Sequence, residues 1–275
     1  MWNDFSGRAV LVTGGTRGVG LATGLAFARR GAAVTLTHKW GSADERAIQT
    51  LFADAAARTP SIVQADAAND DDVAAVMEEV ARRHARLDVL VSNVAFGATV
   101  AGVANYSRKA LLAGIDCSAW PLAAHTLAAR ARFGAAPRYV VGVSSEGADH
   151  MHVGYDLIAA AKSTLETLCR YLHYRLRAEG TSVNVVRTRF VDTVSLEDTF
   201  GADFRPFVER FAPDVITPGH DVAEAIVGIC SGLMDGLGGQ VLTVDRGAGL
   251  YDNFSRLYDQ RHVRPINTPA YEEPS

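Results

Sequence analysis

A β-branched run at residues 9–12 breaks into Thr13-Gly14-Gly15-Thr16-Arg17-Gly18-Val19-Gly20 and resumes as a helical stretch reaching residue 30. A strand, a glycine-rich turn and a helix in direct succession constrain the fold more than any other feature of the chain. Gly14 allows a sharp turn, Gly18 lets the backbone approach a pyrophosphate, and Gly20 lets the helix pack close to the strand before it. The unpaired N–H groups at the start of that helix face the same point, so Thr16, Arg17 and Val19 border an expected anion site. At the head of a βαβ unit the octet predicts a dinucleotide cradle.

Short apolar runs at residues 33–37, 61–64, 89–92, 139–143, 182–186 and 240–244 repeat the strand signal. Helical stretches at 18–30, 43–57, 70–84, 119–133, 155–179 and 221–232 alternate with them. The alternation predicts an α/β fold: a single Rossmann-type doubly wound parallel sheet of about seven strands with helices on both faces. A length of 275 residues suits one domain over residues 1–250, followed by a C-terminal tail over 251–275. Residues 191–218, rich in Phe, Asp and Pro, interrupt the rhythm after the sixth strand. They fall at the carboxyl ends of the strands, where open α/β sheets bind ligands, and fit either a substrate loop or a plain irregular connection.

A net charge of −4 with 21% charged and 48% hydrophobic residues gives no basic excess for nucleic acid or an anionic membrane. The apolar run near the start is too short for a signal segment or a membrane span, so a cytoplasmic protein is expected. Cys117, Cys169 and Cys230 form no Cys-x-x-Cys pair and read as reduced structural thiols. His38, His150 and His152 lack a third ligand at consistent spacing; no metal is expected, and they read as turn or surface residues.

Cofactor choice is read at the end of the second strand, where a carboxylate would accept from the adenosine ribose and favour NAD. The chain has Thr37-His38-Lys39 there instead. Lys39 and Arg17 are cationic partners for a 2′-phosphate, with His38 alongside, so NADPH is the expected cofactor. Asp66, followed by Ala67 just past the third strand, is placed to accept from the adenine amine.

These features, with Ser92-Asn93-Val94-Ala95, Val143-Ser144-Ser145, Tyr155, Lys162 and Val241-Leu242-Thr243-Val244-Asp245, fall in an order and spacing that resembles the short-chain dehydrogenase/reductase superfamily over about residues 7–250. The resemblance implies that Asn93, with Val94 and Ala95, supports the turn and the ribose, and that Thr193 lies beside the nicotinamide amide. It also implies a homo-oligomer, a tetramer or dimer, assembled on the helix that carries Lys162 and the one before it. Ordinary ketoreductases of the superfamily place tyrosine four residues before lysine; Ile158 stands there in this chain, and the tyrosine lies seven before, at Tyr155. Tyr155-x6-Lys162, with Ser145 ten residues before Tyr155, is similar to the divergent NADPH-dependent enoyl-acyl-carrier-protein reductases. That likeness implies Tyr155, Lys162 and Ser145 as the catalytic set, with Tyr155 and Lys162 also meeting the cofactor. The implied substrate is an acyl thioester, free or bound to a carrier protein.

The displaced tyrosine has a physical reading. On a helix, positions seven apart share a face within about 20° and stand roughly 10 Å apart along the axis, against about 6 Å for a separation of four. A ketone accepts hydride on the carbon bonded to its oxygen, whereas an enoyl thioester accepts it at the β-carbon, two carbons farther off. A more distant phenol then suits the enoyl case: Tyr155 stabilises the developing enolate oxygen and Lys162 adds a favourable charge. Two alternatives stay open, a ketone or alcohol oxidoreductase and a catalytically inactive NADP-binding sensor or scaffold. Three departures from the family pattern bear on them. Asp116 stands where the family carries an asparagine and would alter a proton relay to Lys162. Arg187-Thr188-Arg189 adds bulk and charge beside the cofactor, narrowing the pocket or meeting a carrier-bound phosphate. The tail with Tyr251, Phe254, Tyr258 and Arg261 either covers a neighbouring subunit's site or is disordered towards residues 265–275.

Overall fold

The computed structural model describes residues 3–39, 41 and 43–260. From the amino end, β1 (Ala9–Thr13), α1 (Gly18–Ala28), β2 (Ala33–His38), α2 (Glu45–Asp54), β3 (Ser61–Gln64) and α3 (Asp70–Ala81) build the first half of the sheet outward. The chain then returns to the other side of β1 with β4 (Val89–Ser92), followed by α4 (Arg108–Ser118), α5 (Trp120–Phe133), β5 (Tyr139–Ser145), α6 (Asp156–Leu176) and β6 (Ser182–Thr188). A two-strand ladder of β7 (Phe190–Val191) and β8 (Ile216–Thr217) encloses α7 (Val194–Phe200) and α8 (Phe204–Phe211). The chain continues through α9 (Gly219–Ile229), β9 (Val241–Val244) and α10 (Asn253–Gln260). The seven-stranded sheet runs β3-β2-β1-β4-β5-β6-β9 with every recorded pairing parallel. Its order reverses between β1 and β4, which opens a crevice at their carboxyl ends.

Both faces of the sheet are covered, which explains why the strands read as unbroken apolar runs. Val10 and Val12 of β1 point into one core with Phe27 of α1 and Ile226 of α9. Ala9 and Leu11 point into the other with Met77 of α3, Leu122 of α5 and Leu165 of α6. Burying one such Leu, Ile or Phe contributes about 1.5–3 kcal/mol. The expected stripe on α6 is core: Leu157, Ala161, Leu165 and Leu176 are buried, and Leu168 and Leu172 pack partly buried on the same cluster. Cys169 and Cys230 are buried free thiols and Cys117 is a partly exposed one.

Local chemistry sets the helix starts. Asp44 accepts from Ala47 N ahead of α2, Asn69 from Asp72 N ahead of α3, and Ser107 from Ala110 N ahead of α4. All seven expected strands form. Helix α4 lies outside the expected stretches, because its inward face is made of small residues, Gly114 and Ser118, and carries little apolar periodicity. The expected helix over 155–179 begins one residue later, with Tyr155 as its N-cap in a non-helical conformation, and closes in a tight turn at Arg177–Glu179. Tyr155 therefore sits at the mouth of α6 and not on its face. Of the tail, Asn253–Gln260 forms α10 with Phe254 and Tyr258 exposed; Arg261 and residues 265–275 lie outside the described residues.

Candidate active site

The glycine loop is built almost entirely from main chain. Gly14 and Gly18 hold φ of +59° and +53°, a left-handed region that side-chain-bearing residues avoid. A Cβ on Gly20 would lie 2.6 Å from Asn93 Nδ2 and clash with Gly14 O, so α1 packs this closely only without a side chain there. Asn93 Nδ2 donates to Thr13 O at 3.1 Å and Gly14 O at 2.9 Å, while Thr13 Oγ1 accepts from Asn93 N and Val94 N. The end of β4 thus holds the turn after β1. Gly15 N and Gly14 N donate to the carbonyl and hydroxyl of Thr37, tying the turn to β2 as well.

A cleft of about 260 Å³ runs from this loop along the ends of β4, β5 and β6. Of the expected set, Gly14, Arg17, Gly18, Val19, Asn93, Val94, Ala95, Ser145, Tyr155, Lys162 and Thr193 line it. A Cβ on Gly18 would come within 3.1 Å of Thr193 Cγ2, so Thr193 closes over the loop. Thr16 and Gly20 support the loop from behind and do not line the cleft. A main-chain cradle with left-handed glycines at a helix N-terminus, opening onto a buried lysine and a tyrosine, fits a nicotinamide dinucleotide.

Tyr155 packs its ring on the turn after β5, where a Cβ on Gly147 would lie 2.5 Å from the ring. Burial holds the phenol above its ordinary value, which keeps it protonated, although the Ser145 hydroxyl beside it works the other way. Ser145 Oγ accepts from Gly147 N at 3.2 Å. Lys162 is buried, and its Nζ donates to Val143 O at 2.8 Å. Burial pulls its pKa down to about 8, with Glu166 opposing. Ile158, in the usual tyrosine position, is buried and absent from the cleft lining; its side chain fills the space that a Cβ on Gly97 would need.

Of the two arginines expected to narrow the pocket or meet a carrier-bound phosphate, only Arg189 reaches the cleft, and both are held by carboxylates. Arg187 is committed to an internal network: its Nε and Nη2 donate to Glu166 at 3.0 and 2.7 Å, and its Nη1 pairs with Asp149 at 2.5 Å. Glu166, 4% exposed, also accepts from Ser144 Oγ at 2.8 Å. Arg189 lines the cleft, but its Nε pairs with Glu146 at 3.0 Å and its Nη1 donates to Ala248 O at 2.6 Å. Each guanidinium is balanced by a carboxylate, so neither stands as a ready phosphate site. Asp116, expected to alter a proton relay to Lys162, is exposed and absent from the cleft lining.

His152, read from sequence as a turn or surface residue, lines the cleft half-buried with its ring edge-on to Tyr155. Burial, aided by Arg189 and His150 and opposed by Glu146, lowers its pKa, so the ring is neutral near pH 7. Phe190, Leu196, Thr199 and Phe200 complete that end, which places part of residues 191–218 at the site. The one hint in the sequence was the density of Phe after β6.

At the adenosine end, His38 is buried with both ring nitrogens unpartnered. Lys39 pairs with Asp66 at 2.5 Å, and the two line a separate shallow depression beside Asn69. Although burial works against it, the Lys39 contact holds the Asp66 carboxyl below its usual range. Asp66 Oδ1 accepts from Ala68 N, and Ala67 is buried beneath. Arg17 is exposed and borders both the main cleft and the depression at Asp192 and Arg205. Among the described residues no group of three or more His, Cys, Asp or Glu side chains could hold a metal ion, and no helix is long and apolar enough to cross a membrane.

A family model described as enoyl-(acyl carrier protein) reductase matches residues 14–249. A 1-cyclohexenylcarbonyl-CoA reductase of Streptomyces collinus is 29% identical over 87% of this chain and 86% of its own length. A cis-4-hydroxycyclohexanecarboxylate dehydrogenase of Sinomonas cyclohexanicum is 31% identical over 90% of this chain and 98% of its own. Among solved structures, a short-chain dehydrogenase of Burkholderia cenocepacia in complex with NADP superposes with a TM-score of 0.75 at 27% identity, covering 89% of this chain and 99% of the other. With the doubly wound sheet, the glycine cradle and the Tyr155–Lys162 pair in one cleft, the chain belongs to the short-chain dehydrogenase/reductase oxidoreductases, in the family of the enoyl-(acyl carrier protein) reductases.

Proposed function

We propose that the protein uses NADPH to reduce the carbon–carbon double bond of an enoyl thioester in fatty-acid or specialised polyketide metabolism, in the cytoplasm. The observation that carries this reading is the placement of Tyr155 at the mouth of α6, in the same cleft as Ser145 and Lys162, while Ile158 is packed away against Gly97. When bound in the glycine cradle, NADPH would supply the hydride that the β-carbon accepts. Tyr155, protonated and desolvated, donates to the thioester oxygen as negative charge gathers there. Lys162 orients the ribose and contributes positive charge from a water-poor position, and Ser145 fixes the phenol. As the charge collapses back from oxygen, the α-carbon takes its proton from solvent water, which completes the addition of hydride and proton.

NADPH rests on Arg17, exposed beside the glycine loop at the start of α1, and on the absence of a carboxylate at the end of β2. The solved neighbour in complex with NADP and the Streptomyces relative's thioester substrate favour the same reading. Self-association through α5 and α6 is part of the proposal, since Leu127, Tyr171 and Tyr174 stand exposed on them; sedimentation of the purified chain tests it.

The Sinomonas relative, a dehydrogenase of a ring alcohol by name, favours a second reading in which Tyr155 serves a carbonyl directly. Crotonyl and acetoacetyl thioesters, each offered with NADPH and NADH, separate the two. Turnover of crotonyl thioester with NADPH and none of acetoacetyl is expected; the reverse pattern sinks the enoyl assignment.

A further inference from the structure

Beyond Tyr155 the cleft ends on packed rings. His152 meets Tyr155 at a centroid separation of 5.9 Å, Phe190 at 5.7 Å and Phe200 at 6.3 Å, edge-on in each case. Phe190 meets Phe200 at 5.6 Å, and Phe204, behind them, stacks on Phe200 at 4.6 Å. The cluster is buttressed from the rear: Val208, Val215 and Ala248 form a small buried core against which Phe190 and Phe204 pack. The β7–β8 ladder, Phe190 to Ile216 and Val191 to Thr217, pins both ends of the segment that carries these rings. A wall fixed at its ends and filled behind cannot yield a deep channel by moving one side chain.

The available space is small. About 260 Å³ has to accept the nicotinamide end of the cofactor and the reacting part of the substrate. Small-molecule clefts commonly run about 300–1,000 Å³, and an apolar cavity of about 150 Å³ takes up one benzene. A nicotinamide seated there would leave only part of that volume for the acyl group, on the order of the space one benzene takes. Edge and face contacts from surrounding rings favour such an occupant over a narrow flexible chain.

We infer that the acyl group is compact and ring-sized, a cycloalkenyl carbonyl thioester or one of equal bulk, and that Phe190, Phe200 and His152 exclude straight chains of medium length. The inference rests on the enoyl-thioester reading and assigns its substrate class. The test uses the full chain with saturating NADPH and three probes: crotonyl-CoA, 1-cyclohexenylcarbonyl-CoA and trans-2-dodecenoyl-CoA. The cycloalkenyl thioester should exceed the dodecenoyl one in kcat/KM by about tenfold or more. An open channel would instead add about fourfold per methylene, so a dodecenoyl value above the cycloalkenyl one overturns the inference while leaving enoyl reduction intact. Phe200→Ala should raise the dodecenoyl value, with Phe200→Leu falling between parent and alanine variant. If none of the three is reduced, the enoyl reading itself fails. Calorimetric binding of the saturated cyclohexanecarbonyl-CoA and dodecanoyl-CoA then decides size on its own: tighter binding of the ring upholds it, equal or weaker binding overturns it.

Discussion

At the Gly14 end of the cleft nearly every contact is made by main chain or by Asn93 and Thr13 holding that main chain. At the Phe200 end the wall is made of side chains, His152 from the turn after β5, Phe190 from β7 and Phe200 from α7. The cradle works by leaving side chains out, so any added atom obstructs it. The ring wall works by filling space, so its substitutions change the size of what fits and leave the fold standing. On the proposed function, cofactor binding is the rigid property of the molecule and acyl selection the adjustable one.

The sharpest way to break that contrast is Gly20→Ala. Its Cβ meets both Gly14 O and Asn93 Nδ2, so α1 must shift away from the loop. Loss of detectable NADPH binding by fluorescence titration is expected, with the fold retained by circular dichroism. Binding close to that of the parent would show the cradle to be more pliant than its geometry implies. Tyr155→Phe acts at the junction of the two ends. Removing one donor to a developing oxyanion lowers kcat by about 10²–10³, while the Kd for NADPH should change by a far smaller factor. A parental rate in stopped-flow measurement would remove Tyr155 from the chemistry.

The same contrast decides what could be read from sequence. The cradle is encoded in eight consecutive residues, and each glycine has a local reason; the seven strands were legible because burial on both faces leaves continuous apolar runs. The ring wall draws on residues 152, 190 and 200, which share no period and meet only after the β7–β8 ladder has closed. The roles of Arg187 and Arg189 were hidden for a related reason. Their charge was visible, but Glu166 and Glu146, which neutralise them, lie on α6 and in the turn after β5. Tyr155 was identified as a site residue, yet its place one residue before α6 depends on the Gly147 turn beneath its ring.

Glu166 sharpens the comparison from beneath, since it joins the ends of β5 and β6 to the helix of Lys162. Glu166→Gln deprives Arg187 of its buried countercharge and should cost about 3 kcal/mol in chemical denaturation. It also removes the group that opposes the burial of Lys162. The parent should lose activity as pH rises through about 8, where Lys162 gives up its charge, and the variant should lose it at lower pH. The sign for stability runs the other way. Because the folded value is about 8 and the unfolded one 10.5, the unfolded chain holds the extra proton between them, so the Lys162 contribution makes stability rise with pH across that window. An alkaline limb unmoved in Glu166→Gln would detach this carboxylate from Lys162.

The smallest effects fall at the adenosine end, where two cations of equal formal charge should differ. Lys39 already pairs with Asp66, so a 2′-phosphate must compete with a carboxylate for it. Arg17 caps α1 beside the glycine loop, and among the described residues it has no recorded ion pair with an acidic side chain. A phosphate gains more from the cation that gives up least to bind it. Arg17→Ala should therefore cut the preference for NADPH over NADH by about tenfold, one charge-assisted hydrogen bond discounted for exposure. Lys39→Ala should cut it less, because Lys39 has to give up Asp66 to meet the phosphate, and the repulsion from the Asp66 that the substitution releases is weak across solvent. The ratio of Kd values for the two cofactors checks both variants. A larger loss at Lys39 would mean that the Lys39–Asp66 pair opens on binding, which would make this end of the cradle the adjustable one.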